Sequence, residues 1–490
     1  MEKYIIKYEK KINKQKILQV IQYILFTIFT IINFYLVLCH ETWRDETHAW
    51  TMAKYLSLKD LFIVSKWDGH PILWHLILMP FAKLNFPIIT MQIISFLIIT
   101  ISAYLFVFHT RLNIFAKFII LFTVPFLYIY SSISRNYCLV VLLLVLIGIF
   151  YKKRYEHPLF YSILICLLIN THALSWGIVA GLTITFHINE IIKYIVNKCK
   201  RNYIISDKKI DALTQSVQKK EDNRQNKSIN KEETVKIKSI FFGFILIVLN
   251  TLLVIYELYG TSNPDYILII YPRTKKIINI FLIYIIVFFT ITLIFARKNF
   301  KELFIVLCGC EFQIIVFTKF YGAILDQRYF MPVVLFLFLL ILLQSTELDK
   351  KVLNIFTIIF IILNVSFGYV KYCYQIVKDD VNYQYSSCKE MADYINTNLS
   401  EESTVYTYLS IYCQSIEPYL THSKLYDIYY DDYFENVKCI STLPKDANID
   451  FKKCAGKYLI TPSSEKLNFP IVYQTQESLT DEAYTLYYIN

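Results

Sequence analysis

Leu18-Gln19-Val20-Ile21-Gln22-Tyr23-Ile24-Leu25-Phe26-Thr27-Ile28-Phe29-Thr30-Ile31-Ile32-Asn33-Phe34-Tyr35-Leu36-Val37-Leu38-Cys39 carries no charge, and His40-Glu41-Thr42-Trp43-Arg44-Asp45-Glu46 follows at once. A helix of this length spans the ~30 Å hydrocarbon core of a bilayer. Acidic residues at the mouth of such a span are expensive to keep and are functional candidates by default. The stretch therefore predicts a membrane protein with a polar site just past its first span.

Working outward, the 490 residues are 56% hydrophobic and the mean hydropathy is +0.42, more apolar than an ordinary soluble chain. Apolar runs long enough for spans, or nearly so, recur at about 18–39, 88–108, 114–130, 138–151, 159–170, 174–188, 239–258, 277–296, 303–319, 331–346 and 353–371. The predicted fold is an all-α polytopic membrane domain of about 11 transmembrane helices over 1–371, with a small α/β domain over 380–490. The run at 71–84 is too short to span and reads as interfacial or re-entrant. Aromatic residues make up 17% of the chain, which suits interfacial belts. Trp43, Trp50, Trp67 and Trp74 are the anchors expected there.

The net charge of +11 is uneven. Lys3, Lys7, Lys10, Lys11, Lys14 and Lys16 precede the first span, and more lysines crowd 193–238. The positive-inside rule explains both and leaves no reason to invoke nucleic acid. With the N-terminus inside, 40–87, 131–137, 171–173, 259–276, 320–330 and everything past about 372 face outward. The expected location is the plasma (inner) membrane, multi-pass, with the C-terminal domain extracytoplasmic. The apolar run has no small-residue cleavage site after it and reads as an uncleaved span. The stretch 197–238, rich in Lys, Asn, Gln and Asp, reads as a disordered cytoplasmic loop. Beyond 380, Thr404-Val405-Tyr406-Thr407-Tyr408, Lys457-Tyr458-Leu459-Ile460 and Pro470-Ile471-Val472-Tyr473 alternate as strands, and 387–395 has helical periodicity. Cys388, Cys413, Cys439 and Cys454 would meet an oxidising compartment, where one or two disulfides could form. No spacing resembles a metal site.

The expected outer loops collect chemistry. The first holds His40, Glu41, Arg44, Asp45, Glu46, His48, Lys66, Asp68 and His70; others hold Arg135, His172, Lys275, Arg328 and Tyr329. A carboxylate base facing a cationic cluster suits group transfer from an anionic lipid. Simpler readings stand beside this. Thr42-x-x-Asp45 fits a capping box for a short interfacial helix, Thr47 to Leu56, whose Ala49, Met52, Ala53 and Leu56 would rest on the membrane. Ser57-x-x-Asp60 is the same device. His48 and His70 read as hydrogen-bonding groups before metal ligands, and Arg135 could snorkel to headgroups.

Glu41-Thr42-Trp43-Arg44-Asp45-Glu46-Thr47-His48-Ala49-Trp50 resembles the first-loop motif of GT-C glycosyltransferases, especially the group of protein O-mannosyltransferases and lipid A aminoarabinose transferases. Gly69-His70-Pro71-Ile72-Leu73-Trp74 is similar to the Pro-containing segment that follows in that group, although many members have Lys-Pro there. Arg328-Tyr329-Phe330-Met331-Pro332 resembles an Arg-Tyr element opening a late span, and Arg135-Asn136-Tyr137 an Arg-x-Tyr element. The likeness covers about 1–371 by arrangement; 380–490 resembles nothing named.

This resemblance implies transfer of a sugar from a polyprenyl-phosphate carrier to a glycan, lipid or protein acceptor of the cell envelope. Asp45 would be the general base and Glu46 would help place the acceptor. Arg328, with Arg135 and Lys275, would hold the lipid phosphate. Arg44, His48, His70, His172 and Tyr329 complete the implied substrate site. Some GT-C enzymes use a divalent cation; the sequence offers no ligand set for one. Two other classes compete with this reading. One is a transporter or flippase for a lipid-linked glycan, and the other is a non-catalytic membrane assembly protein. Transporters usually show mid-membrane charges and paired halves, and neither is visible here.

Overall fold

The computed structural model describes residues 2–68, 70–172, 175–211, 222–258, 369–382, 384–408, 415–428, 451–476 and 483–490, with isolated positions between 302 and 358 and at 413, 432, 433 and 478. The chain divides into two compact units, Met1–Leu142 with Glu257–Asn263 and Asn354–Asn490, and Leu143–Tyr256 with Pro264–Leu353.

The first unit opens on α1 (Glu2–Cys39), followed by α2 (Arg44–Tyr55), α3 (Leu58–Asp68), α4 (Leu73–Lys83), α5 (Ile89–His109) and α6 (Ile114–Leu121), with α7 (Tyr137–Phe150) starting at its end. Helix α1 packs on α5 and α6. Ile17, Val20, Tyr23, Ile31, Tyr35 and Leu38 are left exposed, an apolar face that a water-soluble fold would cover. Polar side chains bridge the helices where α1 is buried. Gln22 donates to the Val107 carbonyl at 3.1 Å, and Asn33 donates to the Leu127 carbonyl at 2.5 Å and to Ser131 Oγ at 2.7 Å. Interhelical bonds of this kind hold helices together where lipid gives no hydrophobic drive. The expected span at 114–130 is broken. Helix α6 stops at Leu121 and a π-helical turn covers Pro125–Ile129, because Pro125 has no N–H for the helical ladder.

Helices α2 to α4 fill the segment expected between the first two spans. Met52, Leu56, Leu61 and Val64 form a buried cluster with Tyr55, Ile72, Leu76 and Met79 packed against it. The face of α2 expected on the membrane, Ala49, Met52, Ala53 and Leu56, is buried in protein instead. Trp43, Trp50 and Trp74 are buried as well, so they act as core residues rather than bilayer anchors; the Trp67 side chain lies outside the described residues. The amphipathic pattern was correct, and its partner is the neighbouring hairpin. Lys83 closes the arrangement by donating to the Lys54 and Leu56 carbonyls at 3.3 and 2.8 Å, a cation at a helix C-terminus. Ser57 caps α3 as expected, accepting from the Asp60 N–H at 3.1 Å.

The second unit contains most of α7, then α8 (Pro158–Ile169), α9 (Trp176–Thr183), a π-helical turn at Ile184–Ile188, α10 (Asn189–Asp211) and α11 (Asp222–Leu258) up to Tyr256. Residues 197–211 and 222–238 are helical, which corrects the expectation of a disordered loop; 212–221 lie outside the described residues. Lys, Arg, Glu and Gln have high intrinsic helix propensity, so these charged extensions continue the turns of apolar helices already nucleated. Arg154 lies against the rings of Tyr151, Tyr155 and Phe186 and pairs with Glu302 at 2.7 Å.

Gln15–Cys39, Ile89–His109, Trp176–Lys200 and Val235–Leu258 are the described helices long and apolar enough to cross a membrane, while Tyr137–Phe150 and Pro158–Ile169 are apolar but shorter. The expected spans at 277–296, 303–319, 331–346 and 353–371 lie outside the described residues apart from isolated positions.

The C-terminal part of the first unit holds α12 (Tyr369–Asn382), α13 (Cys388–Asn398) and strands β1 (Val405–Thr407), β2 (Leu425–Asp427), β3 (Asp432–Tyr433), β4 (Lys457–Pro462), β5 (Ile471–Gln474) and β6 (Tyr484–Ile489). The sheet order is β3-β2-β1-β4-β6-β5, with β2, β1 and β4 parallel and the remaining pairs antiparallel. Both faces of the parallel strands are buried. Met391, Ile395, Val405, Leu425 and Ile460 fill one core, and Tyr406, Ile428, Leu459 and Tyr487 the other. Cys388, Cys413 and Cys454 are buried and in no disulfide, so none of the bridges that could form among these three is present. Cys388 and Cys454 belong to different cores, and the Cys388 thiol donates to Ser415 Oγ at 2.9 Å. Cys439 lies outside the described residues.

Candidate functional site

Two neighbouring acids have opposite environments. Helix α2 starts at Arg44, which places Asp45 and Glu46 in its first turn, where the helix dipole favours negative charge. The expected box was Thr42-x-x-Asp45 with a start at Thr47. Instead Glu46, third in the helix, reaches back to the Trp43 N–H at 3.2 Å, and the Glu46 and Thr47 N–H groups bond the Trp43 carbonyl at 3.0 Å each. Trp43 has no side-chain acceptor to complete a reciprocal box.

Glu46 is 0% exposed. Its Oε2 takes the Trp43 N–H and lies 3.0 Å from His40 Nε2, while Oε1 takes the Ser134 N–H at 2.5 Å. The Asp45 side chain is 35% exposed, with Arg44 Nε 3.3 Å from its Oδ1. The Arg44 guanidinium sits 5.7 Å from the Trp43 ring centre. Arg135, from the turn before α7, is buried and donates through Nη1 to the backbone carbonyl of Asp45. The 131–137 turn therefore grips the start of α2 twice, through the Ser134 N–H on Glu46 and through Arg135 on Asp45.

Behind the acids lies a buried chain whose role the sequence did not reveal. His40 stands between two carboxylates, Nε2 to Glu46 at 3.0 Å and Nδ1 to Asp380 Oδ2 at 2.9 Å, all essentially sealed from solvent. Tyr128 donates its hydroxyl to the same Asp380 oxygen. The His40 carbonyl accepts from Gln92 at 2.9 Å, and the Tyr385 ring meets the imidazole edge-on at 4.6 Å. Burial alone would push the His40 imidazole down; the Asp380 and Glu46 carboxylates outweigh it and hold the pKa up at about 10. His40 was visible as a loop histidine. Asp380 carried a usable signal, since Asp379-Asp380 follows shortly after the last apolar run, as Asp45-Glu46 follows the first.

The start of the motif faces the C-terminal domain. Glu41 accepts from the Lys389 N–H in the first turn of α13 at 2.8 Å. Burial pushes the Glu41 carboxyl up to about 7 despite that bond. The Thr42 N–H donates to the Tyr419 hydroxyl at 3.2 Å, and the two hydroxyls share a further hydrogen bond. Tyr55 donates to Glu417 at 2.9 Å.

Of the implied site residues, the structure brings Arg44, Asp45, Glu46 and Arg135 together, with His40 behind them. His48 is half-buried on α2 beyond them, and His70 half-buried just before α4. The following Ile72 N–H is held by Glu257 at 3.0 Å. His172 is buried in the turn after α8 and belongs to the second unit. Lys275, Arg328 and Tyr329 lie outside the described residues. No group of three or more His, Cys, Asp or Glu suited to a metal occurs among the described residues. Chemically, Glu46 takes three donors and is shielded from solvent, which suits an anchor. Asp45 is accessible and its backbone is fixed. No protein-family model and no curated protein matches the chain.

Proposed function

We propose that the chain is a multi-pass membrane glycosyltransferase that moves a sugar from a polyprenyl-phosphate carrier to a cell-envelope acceptor, with Asp45 as the general base. The observation that carries this reading is the division of labour between the adjacent acids. Glu46 is locked into a buried network, while Asp45 stands accessible in the first turn of α2 with its carbonyl held by Arg135. In the proposed step, Asp45 accepts the proton of an acceptor hydroxyl as that oxygen attacks the anomeric carbon. The bond from that carbon to the phosphate oxygen breaks, and polyprenyl phosphate leaves with the electron pair. A carboxylate within hydrogen-bond reach of the hydroxyl contributes typically 10²–10⁴-fold. Arg135 serves mainly to fix Asp45, so the carrier phosphate needs a cation other than Arg135 to stabilise its developing charge.

This reading also takes the eleven-span topology with the first loop and the C-terminal domain on the outer face of the plasma membrane. The motif likeness in Glu41 to Trp50 supports it, as does the placement of the acids just beyond α1.

The test is transfer from a polyprenyl-phosphate sugar in detergent. Asp45→Asn is expected to lose turnover by about 10²-fold or more while it retains lipid binding and thermal stability. Wild-type turnover in that variant removes Asp45 from the chemistry.

A further inference from the structure

We propose that Asp380 and His40 form a positioning pair for Asp45, so that docking of the chain's C-terminal segment sets the geometry of the acid in the first loop. The inference rests on the reading of Asp45 as the base and adds residues that neither the motif nor its resemblance includes.

The geometry fits a charged histidine. Each imidazole nitrogen of His40 lies within 3.0 Å of a carboxylate oxygen. A neutral ring has one N–H, so one of those contacts would set a lone pair against a carboxylate. Burial of both acids makes that arrangement costly. Double protonation turns both contacts into charge-assisted hydrogen bonds, in keeping with the upward shift to about 10. The groups facing the ring are Asp380 from α12, Glu46 from α2, Tyr128 from the π-helical turn, and Glu41 and Tyr385 beside it.

The consequence runs outward along named bonds. Asp380 holds His40 and His40 holds Glu46. Glu46 holds the N–H groups of Trp43 and Ser134. Arg135, next to Ser134, holds the Asp45 carbonyl. Asp380 lies 340 residues from His40 in sequence. The same segment continues into the domain that takes Glu41, Thr42 and Tyr55 through Lys389, Tyr419 and Glu417. The start of α2 is thus clamped from one side by the 131–137 turn and from the other by the C-terminal segment. Neither His40 nor Asp380 touches the proposed substrate; both act through Glu46.

The experiment uses the full-length protein in detergent. Asp45→Cys is labelled with a charged maleimide, and modification at residue 45 is followed by peptide mass spectrometry across pH, with and without Asp380→Asn. Ionisation of the introduced thiol raises the rate with pH in both proteins alike, so the readout is the ratio of the two rates at matched pH. Asp380→Asn should speed labelling several-fold over the parent at neutral pH. In the Asp45 protein, Asp380→Asn should lower kcat about tenfold with KM little changed, as misplacement of a reacting group does. Identical labelling profiles with and without Asp380→Asn overturn the proposal. If Asp380→Asn fails to fold, Asp380→Glu, which keeps the charge and displaces the carboxylate by one methylene, takes its place in the labelling comparison; a profile identical to the parent's then overturns the proposal. The labelling readout needs no turnover. A labelling shift in a protein that transfers no sugar would therefore reject the transferase reading while leaving the mechanical coupling intact.

Discussion

The contrast between Glu46 and Asp45 predicts a reversal of their roles under isosteric substitution. Glu46→Gln keeps the shape of the side chain and removes its charge. Glu46 receives donors on both oxygens, His40 Nε2 and the Trp43 N–H on one, the Ser134 N–H on the other. A glutamine can place its carbonyl at only one of those positions, so its NH₂ must confront at least one donor. An unsatisfied buried donor costs about 1–3 kcal/mol, and removing one partner of a buried ion pair costs about 3–5 kcal/mol. The two overlap, so the expected loss is about 3–5 kcal/mol, a large share of the ~5–15 kcal/mol that stabilises a typical fold. Asp45→Asn breaks a half-exposed contact to Arg44. Such pairs contribute about 0–1 kcal/mol, and a charge near a helix N-terminus about 0.3–1 kcal/mol. The assay is thermal unfolding in detergent read by a thiol-reactive dye, because Cys138, Cys388, Cys413 and Cys454 are buried thiols that become reactive on unfolding, above a native-state signal from the exposed Cys199. Glu46→Gln should lower the apparent Tm by at least twice the Asp45→Asn shift, and Asp45→Asn should lose the transfer activity. Equal stability of Glu46→Gln and wild type, or a larger loss from Asp45→Asn, refutes the assignment of anchor and base.

Two further outcomes follow from other parts of the molecule. The Glu41 carboxyl moves from 4.5 to about 7 on folding. The native state therefore binds more protons between those values, and this group's contribution to stability falls as pH rises through the window. Glu41→Gln can still accept the Lys389 N–H and does not titrate. Relative to wild type, its Tm should be unchanged below about pH 4.5 and should rise to a plateau above about pH 7, worth on the order of 3 kcal/mol; a pH-independent difference would rule out the buried titration. In the second unit, a Cβ on Gly181 would fall 2.7 Å from Val306 Cα and 3.1 Å from the Ile305 carbonyl oxygen, both backbone atoms. Gly181→Ala should therefore destabilise by roughly 1–3 kcal/mol or more, and a neutral result in thermal unfolding would show that these helices can separate freely.

What the sequence made legible follows the range of the forces involved. Hydropathy acts over a contiguous window, so α1, α5 and the α11 span could be read directly from composition, and alternation located β1, β4, β5 and helix α13. The pair Asp45-Glu46 was also legible, because a charge beside an apolar run is a local anomaly. The division between the two acids was not. It depends on which side of the first turn of α2 faces Ser134, and that is set by a turn 88 residues away. The same limit explains the misread face of α2. Apolar periodicity reports that Met52 and Leu56 must leave water; it carries no information on whether lipid or α3 and α4 receive them. His40 shows the limit most sharply. A histidine at the end of an apolar helix has several ordinary explanations, and its partner Asp380 is separated from it by 340 residues. Only the placement of both carboxylates against one ring turns an unremarkable loop residue into a buried cation. A charge held there by two acids must be matched on every side, so the sequence around Asp45 cannot be understood apart from the sequence around Asp380.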